Sequence, residues 1–117
     1  APVVNSMFAP GSQGPMVDLV KDVALATAKD TFCAAIGAIV NYEGIGNLKN
    51  VKVPTLLLAG EHDKVGRPDG MQNIQKQFVP HAHFVSLPNA AHYAFAEQHD
   101  LFNAHLLRFI REEVAKA

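Results

Sequence analysis

The sequence predicts an α/β fold in which parallel strands are joined by a crossover helix. Residues 55–59 form a continuously apolar run between Pro54 and Gly60, which is too short for a typical helix and is typical of a strand buried on both faces. A second β-prone run, residues 82–87, stops at Pro88. About a dozen residues of helical pattern separate the runs, the usual connection between parallel neighbours. Both strands should therefore end on the same edge of a sheet.

Two helices are predicted ahead of the first strand. Pro15 favours a helix start, and this helix should run to about Lys29. Its predicted inner face consists of Met16, Leu19, Val20, Val23 and Thr27. A second helix should begin at a cap on Asp30 or Thr31 and end at the glycines of residues 44–46. Its predicted inner stripe consists of Phe32, Ala35, Ile36, Ile39 and Val40.

Two further helices are predicted in the second half of the chain. The crossover helix should start at Pro68 or Asp69 and stop before Pro80. Its inward residues are expected to be Met71, Ile74, Gln75 and Phe78. A closing amphipathic helix is predicted over residues 98–115. Its apolar face would hold Leu101, Phe102, His105, Leu106, Phe109 and Ile110.

Composition narrows the class of protein. The net charge is −1 with 18% charged residues, so no basic surface indicates a nucleic-acid partner. The longest apolar runs are shorter than a membrane span. The single cysteine, Cys33, excludes an internal disulfide framework and is interpreted as a small buried hydrophobe in a helix. We therefore expect a cytoplasmic protein with neither a nucleic-acid nor a membrane partner.

Asp63 follows the first predicted strand and His92 follows the second. Because open α/β sheets bind ligands outside the carboxyl ends of their strands, these side chains are candidates for a catalytic carboxylate–imidazole pair. Two simpler interpretations stay open: Asp63 caps the turn after its strand, and His92 is a satisfied histidine at a strand end. The six histidines are scattered without a compact zinc-binding spacing, so no metal site is expected.

Residues 53–63 and 87–92, with Glu97-Gln98 and the closing helix, resemble the carboxyl-terminal half of the α/β-hydrolase fold. In that family the penultimate strand is followed by the acid of the triad and the last strand by its histidine. The resemblance thus implies Asp63 as the acid and His92 as the base, with no cofactor. It covers residues 48–112, and Ala91 stands where many members have Gly.

The resemblance also implies an organisation of the chain. Residues 1–46 would be a helical segment, the end of a cap region and the helix leading into the sheet. Residues 47–117 would hold the last two strands and helices of the hydrolase core. Since two parallel strands leave both sheet edges open, we expect an amino-terminal segment outside this sequence to complete the sheet.

The family's Gly-x-Ser-x-Gly nucleophile turn is absent from the sequence. Residues 11–14 have the wrong spacing and no preceding strand, Ser6 has no glycine frame, and Ser86 lies inside a predicted strand. The implied protein is a fragment or subunit of a serine hydrolase, with its serine supplied by an amino-terminal complement. Its substrate would be an ester or lactone of a small molecule, as in 3-oxoadipate enol-lactonases and related carboxylesterases.

Two alternatives stay open. The first is other cofactor-free chemistry on the same fold, either C–C bond hydrolysis or haloperoxidase-like perhydrolysis. The second is a noncatalytic binding module that kept the acid and base but lost the nucleophile.

Overall fold

The computed structural model describes residues 2–116 of the chain. Ala1 and Ala117, which the segments 1–46 and 47–117 include, lie outside the described residues. The elements, in chain order, are α1 (Pro2–Ser6), α2 (Pro15–Ala26), α3 (Lys29–Val40), a 3₁₀ helix (Gly44–Asn50), β1 (Leu56–Gly60), α4 (Pro68–Phe78), β2 (His83–Leu87), α5 (Ala94–Glu97), α6 (His99–Phe109) and a π-helical turn (Ile110–Val114).

The two strands pair in parallel, as expected from the sequence. Leu56 lies opposite His83, and Gly60 lies opposite Leu87. The crossover helix α4 begins at Pro68, one of the two predicted start positions, because its fixed φ suits the first helical position and its missing N–H is not needed there. The predicted inner residues of α4 are all partly buried, and Gln75 also donates a side-chain hydrogen bond to the Ala82 carbonyl (2.5 Å).

The core lies where the carboxyl end of the sheet meets the carboxyl-terminal helices. Leu87 and Ala90 are fully buried and Ala94 is nearly so, and Leu58 and Phe102 are among the partly buried side chains packed against them. Complete burial of a leucine side chain contributes about 2 kcal/mol. The core is thus built around the segment that carries His92.

The predicted inner face of α2 is wrong. Val17 is the buried residue of this helix, with Val20 half-buried, whereas Leu19 and Val23 are exposed. Apolar residues occupy more than one side of α2, so the periodicity did not specify which side packs against α5.

The predictions for α3 also need correction. The helix starts one to two residues before the predicted caps, after Ala28, and ends at Val40, before the glycines. No residue of α3 is buried: Ile39 is 69% exposed, and Cys33 is exposed rather than a buried hydrophobe. The reason is that no other described element covers the apolar stripe of this helix.

Two other expectations differ in degree. Leu56, Leu57 and Leu58 are half-buried rather than enclosed on both faces, since the sheet of the described residues has only two strands. The closing helix forms where it was predicted, but its last turn, Ile110–Val114, is π-helical and Ile110 is exposed.

Among residues 2–116 no single helix is long and apolar enough to cross a membrane. Helices α2 and α3 reach that length and hydropathy only together, across a bend of 98°.

Candidate active site

Backbone contacts hold the two strand ends together. The Glu61 N–H donates to the Leu87 carbonyl, and the His62 N–H donates to the Ala90 carbonyl, each at 2.9 Å. Gly60 lies so close to the loop after β2 that a Cβ there would stand 2.2 Å from the Ala91 carbonyl oxygen. These contacts place the residues that follow β1 beside those that follow β2.

The loop after β2 turns sharply at Asn89. This residue has a positive φ of 53°, a conformation that asparagine tolerates better than most non-glycine residues. Its backbone N–H points back to the first loop and donates to the Glu61 carboxylate at 3.3 Å. The turn directs Ala90 and Ala91 inward, where both are buried, and brings His92 to the sheet edge.

Asp63 is buried, with 8% of its surface exposed, and uses its two carboxylate oxygens for different purposes. Oδ1 accepts hydrogen bonds from the backbone N–H groups of Val65 (2.7 Å) and Gly66 (2.9 Å), which closes the turn after β1. Oδ2 lies 3.0 Å from Nδ1 of His92. The capping role and the pairing role, which were alternatives at the level of sequence, are therefore combined in one side chain.

The His92 ring is oriented by this contact. A carboxylate oxygen only accepts, so Nδ1 carries the shared proton and the neutral ring has Nε2 as its acceptor. The His92 backbone N–H donates to the Met7 carbonyl at 2.9 Å. The side chain is 36% exposed, against 7% for Asp63, and its ring meets the edge of Tyr93 with centroids 5.6 Å apart. A buried carboxylate thus orients an imidazole ring whose other nitrogen is free to accept a proton.

This architecture matches a solved esterase. Superposition on an esterase from Thermogutta terrifontis, determined with malate bound, gives a TM-score of 0.81 at 20% sequence identity and covers 95% of this chain. The chain has the α/β-hydrolase fold. The fold predicted from the sequence is thereby confirmed, although the chain spans only 42% of that esterase.

Two curated proteins match this chain over 66 residues, 56% of its length. One is a pimeloyl-[acyl-carrier protein] methyl ester esterase from Nitrosospira multiformis, 36% identical; the other is an uncharacterised carboxylesterase from Bacillus subtilis, 33% identical. The chain spans about a quarter of the length of each, 25% and 22%. No protein-family model matches the chain.

The described part of the chain contains no serine whose side chain is hydrogen-bonded to His92. Ser6 donates to the Val3 carbonyl at 2.8 Å, Ser12 donates to the Glu97 carboxylate, and Ser86 is exposed in β2. The pair formed by Asp63 and His92 therefore lacks a nucleophile among residues 2–116. The catalytic roles of both residues stay predictions.

A cleft of about 1150 Å³ opens beside the pair, between the segment that joins α1 to α2 and the turn after β1. Asp63 lines it, but His92 does not, so the cleft reaches the pair from the acid side.

Arg67 at the rim of this cleft pairs with Asp69 at 2.9 Å. The hydrogen bond and charge of Asp69 raise the pKa of Arg67, and the same hydrogen bond, with one from the Gly70 backbone, lowers the pKa of Asp69. Arg67 is thus an exposed, satisfied loop arginine.

The other histidines lie apart from the pair. His62 is next to the acid in sequence, but its Nε2 lies 3.5 Å from Glu61. His83 lies near Glu113, and His99 lies near Asp100. Among residues 2–116 no group of three or more His, Cys, Asp or Glu side chains is arranged to hold a metal ion.

The segment after α1 contributes to this site in a way that no sequence pattern indicated. Met7 accepts the His92 amide, and Phe8 is buried with its ring 5.0 Å from that of Tyr93. These contacts join residues more than eighty positions apart. Glu97, which accepts hydrogen bonds from both sides, was noted only as part of a resemblance.

Proposed function

We propose that the chain supplies the acid and the base of a serine esterase, with Asp63 and His92 completing a triad whose serine lies on a segment outside these 117 residues. The observation that carries this proposal is the 3.0 Å contact of His92 Nδ1 with the buried Asp63 carboxylate at the carboxyl ends of two parallel strands. This contact leaves Nε2 available to take a proton, as a general base requires.

The reaction is acyl transfer to water in two steps. His92 Nε2 takes the proton of the serine hydroxyl as its oxygen attacks the ester carbonyl, and then gives that proton to the departing alcohol. In the second step His92 takes a proton from water, which attacks the acyl-enzyme, and returns it to the serine oxygen as the acid leaves. Asp63 stabilises the imidazolium in both steps, and no organic cofactor or metal is needed.

The names of the similar proteins support ester substrates. The two curated relatives are named as a methyl ester esterase and a carboxylesterase, and the structural neighbour is an esterase. We therefore propose a carboxylic ester of a small molecule as the substrate class, and a substrate panel should include lactones. The acyl chemistry is the same for both, since a lactone is an internal ester.

Labelling with a fluorophosphonate and hydrolysis of p-nitrophenyl esters test this proposal in the complete protein. The wild type should be labelled at one serine and should release p-nitrophenol. His92→Ala should reduce kcat by about 10⁴-fold or more, while His99→Ala, a change at a histidine whose side chain is 62% exposed, should leave it unchanged. Retained turnover in His92→Ala would remove this residue as the base.

A second candidate function is a noncatalytic binding module. It is favoured by the observation that none of the three serines of the chain is hydrogen-bonded to His92 through its side chain. This candidate predicts neither fluorophosphonate labelling nor ester turnover in the complete protein. A labelled serine in a Gly-x-Ser-x-Gly turn would exclude it.

A further inference from the structure

The half-buried carboxylate of Glu97, the last residue of α5, accepts three hydrogen bonds. Oε1 accepts from the Ala9 backbone N–H at 2.6 Å and from the Ser12 hydroxyl at 2.5 Å. Oε2 accepts from the Ala91 backbone N–H at 2.7 Å. One side chain therefore joins the segment after α1 to the loop after β2.

Both joined segments also contact His92. Ala91 is the residue before His92, so the bond to Oε2 holds the peptide that leads into the catalytic histidine. The other segment begins at Met7, whose carbonyl accepts the His92 N–H at 2.9 Å. The Ala91 amide is therefore held by Glu97 itself. The His92 amide is held by Met7, which lies in the segment that Glu97 binds through Ala9 and Ser12.

We propose that Glu97 is a positioning residue for His92. Its carboxylate holds the peptide before His92 on one side and the segment that receives the His92 amide on the other. The ring is thereby kept where Nδ1 meets Asp63 and Nε2 faces the reacting serine. This inference rests on the proposed function, because it assigns Glu97 a part in presenting the base.

The donors require a carboxylate at this position. Each oxygen of Glu97 faces a backbone N–H, which can only donate, whereas a glutamine offers one carbonyl oxygen and one NH₂ group. Whichever way the glutamine amide turns, its NH₂ would face the backbone N–H of Ala9 or that of Ala91, and this N–H would lose its acceptor. The Ser12 hydroxyl can turn to accept from the NH₂, but it does not replace the lost backbone hydrogen bond. A buried donor left without a partner is costly, so the segment would move rather than stay in place.

The test compares four variants of the complete protein. Glu97→Gln and Glu97→Ala should lower kcat for a p-nitrophenyl ester by about ten- to hundredfold with KM within about twofold, since displacement of a catalytic group by about 1 Å costs this much. Ser12→Ala removes one donor and leaves both joined segments held, so its kcat should fall by less than about threefold. Glu112→Gln, at an exposed position, is the matched control and should behave as the wild type.

A second measurement does not depend on turnover. The His92 Nδ1 proton, hydrogen-bonded to Asp63, should give a downfield NMR signal that exchanges with water about tenfold faster or more in Glu97→Gln than in Glu112→Gln. Wild-type protein without esterase activity would overturn the proposed function, and the NMR comparison would still test the placement of His92. Unchanged exchange and unchanged kcat in both Glu97 variants would overturn the role of Glu97. If Glu97→Ala does not fold, the role of Glu97 is decided by comparing kcat and proton exchange in Glu97→Gln with those in Ser12→Ala and Glu112→Gln.

Discussion

At the scale of single residues, Asp63 shows how one carboxylate serves structure and chemistry together. Oδ1 closes the turn after β1 through Val65 and Gly66, and Oδ2 holds His92. The turn presents the second oxygen to the histidine because the first oxygen is already occupied. Substitutions at this position therefore have to be chosen so that the turn is kept.

Asp63→Asn is such a substitution. Its Oδ1 can still accept the two turn N–H groups, which leaves the amide NH₂ facing Nδ1 of His92. The ring must then use Nδ1 as the acceptor, which places the proton on Nε2 and removes the base. We expect kcat to fall by about 10⁴-fold while thermal stability changes little. Asp100→Asn, at a fully solvated position, is the control, and ester hydrolysis with a parallel melting curve is the measurement. An unchanged rate would place the acid elsewhere.

At the scale of elements, the carboxyl end of β1 packs against the loop after β2 without room for a side chain. Gly60 is the residue at this contact, and its backbone faces the carbonyl groups of Ala90 and Ala91. The glycine is needed for the close approach rather than for an unusual φ. The same approach sets the distance between the two loops that carry Asp63 and His92.

Gly60→Ala should therefore reduce both stability and activity. The added methyl group meets backbone rather than a flexible side chain, so the loop must shift, at a cost of about 1–3 kcal/mol in the free energy of unfolding. Gly70→Ala is the matched control: it lies in α4 with no atom within 4 Å of the new Cβ, and it should stabilise the helix by up to about 1 kcal/mol. Urea denaturation of the complete protein measures both changes. Equal stability of the two variants would contradict this account of the contact.

At the scale of the whole molecule, the described residues leave much apolar surface uncovered. The two-stranded sheet has open edges, and exposed apolar side chains continue along α2 and α3, among them Leu19, Val23, Ile36, Ile39 and Val40. Contiguous surfaces of this kind mark interaction sites or aggregation-prone regions. The proposed nucleophile-bearing segment would be the element that covers the sheet.

The isolated 117-residue chain should consequently bind a hydrophobic dye and form aggregates. Addition of the nucleophile-bearing segment should lower dye fluorescence, because a neighbouring strand would satisfy the open edge of the sheet. Dye titration and light scattering measure the two effects. A monodisperse chain that melts cooperatively and binds no dye would contradict the prediction.

Local patterns were sufficient to predict the central elements of the fold and the placement of the candidate pair. Three local signals specify a parallel strand–helix–strand unit: the apolar run before Gly60, the stop at Pro88 and the helical pattern between them. They are sufficient because two strands joined by a helix can pair in only a few topologies. Such a unit delivers Asp63 and His92 to one edge of the sheet whatever the rest of the protein does.

The tertiary structure alone decided which faces are covered and what holds the pair. Periodicity identifies residues that share a side of α2 or α3, but the covering partner comes from elsewhere, so Leu19 and Cys33 are exposed against expectation. The bonds from Ala9 and Ser12 to Glu97 join residues 88 and 85 positions apart. No local pattern encodes such contacts, because they depend on where the folded chain brings its distant segments together.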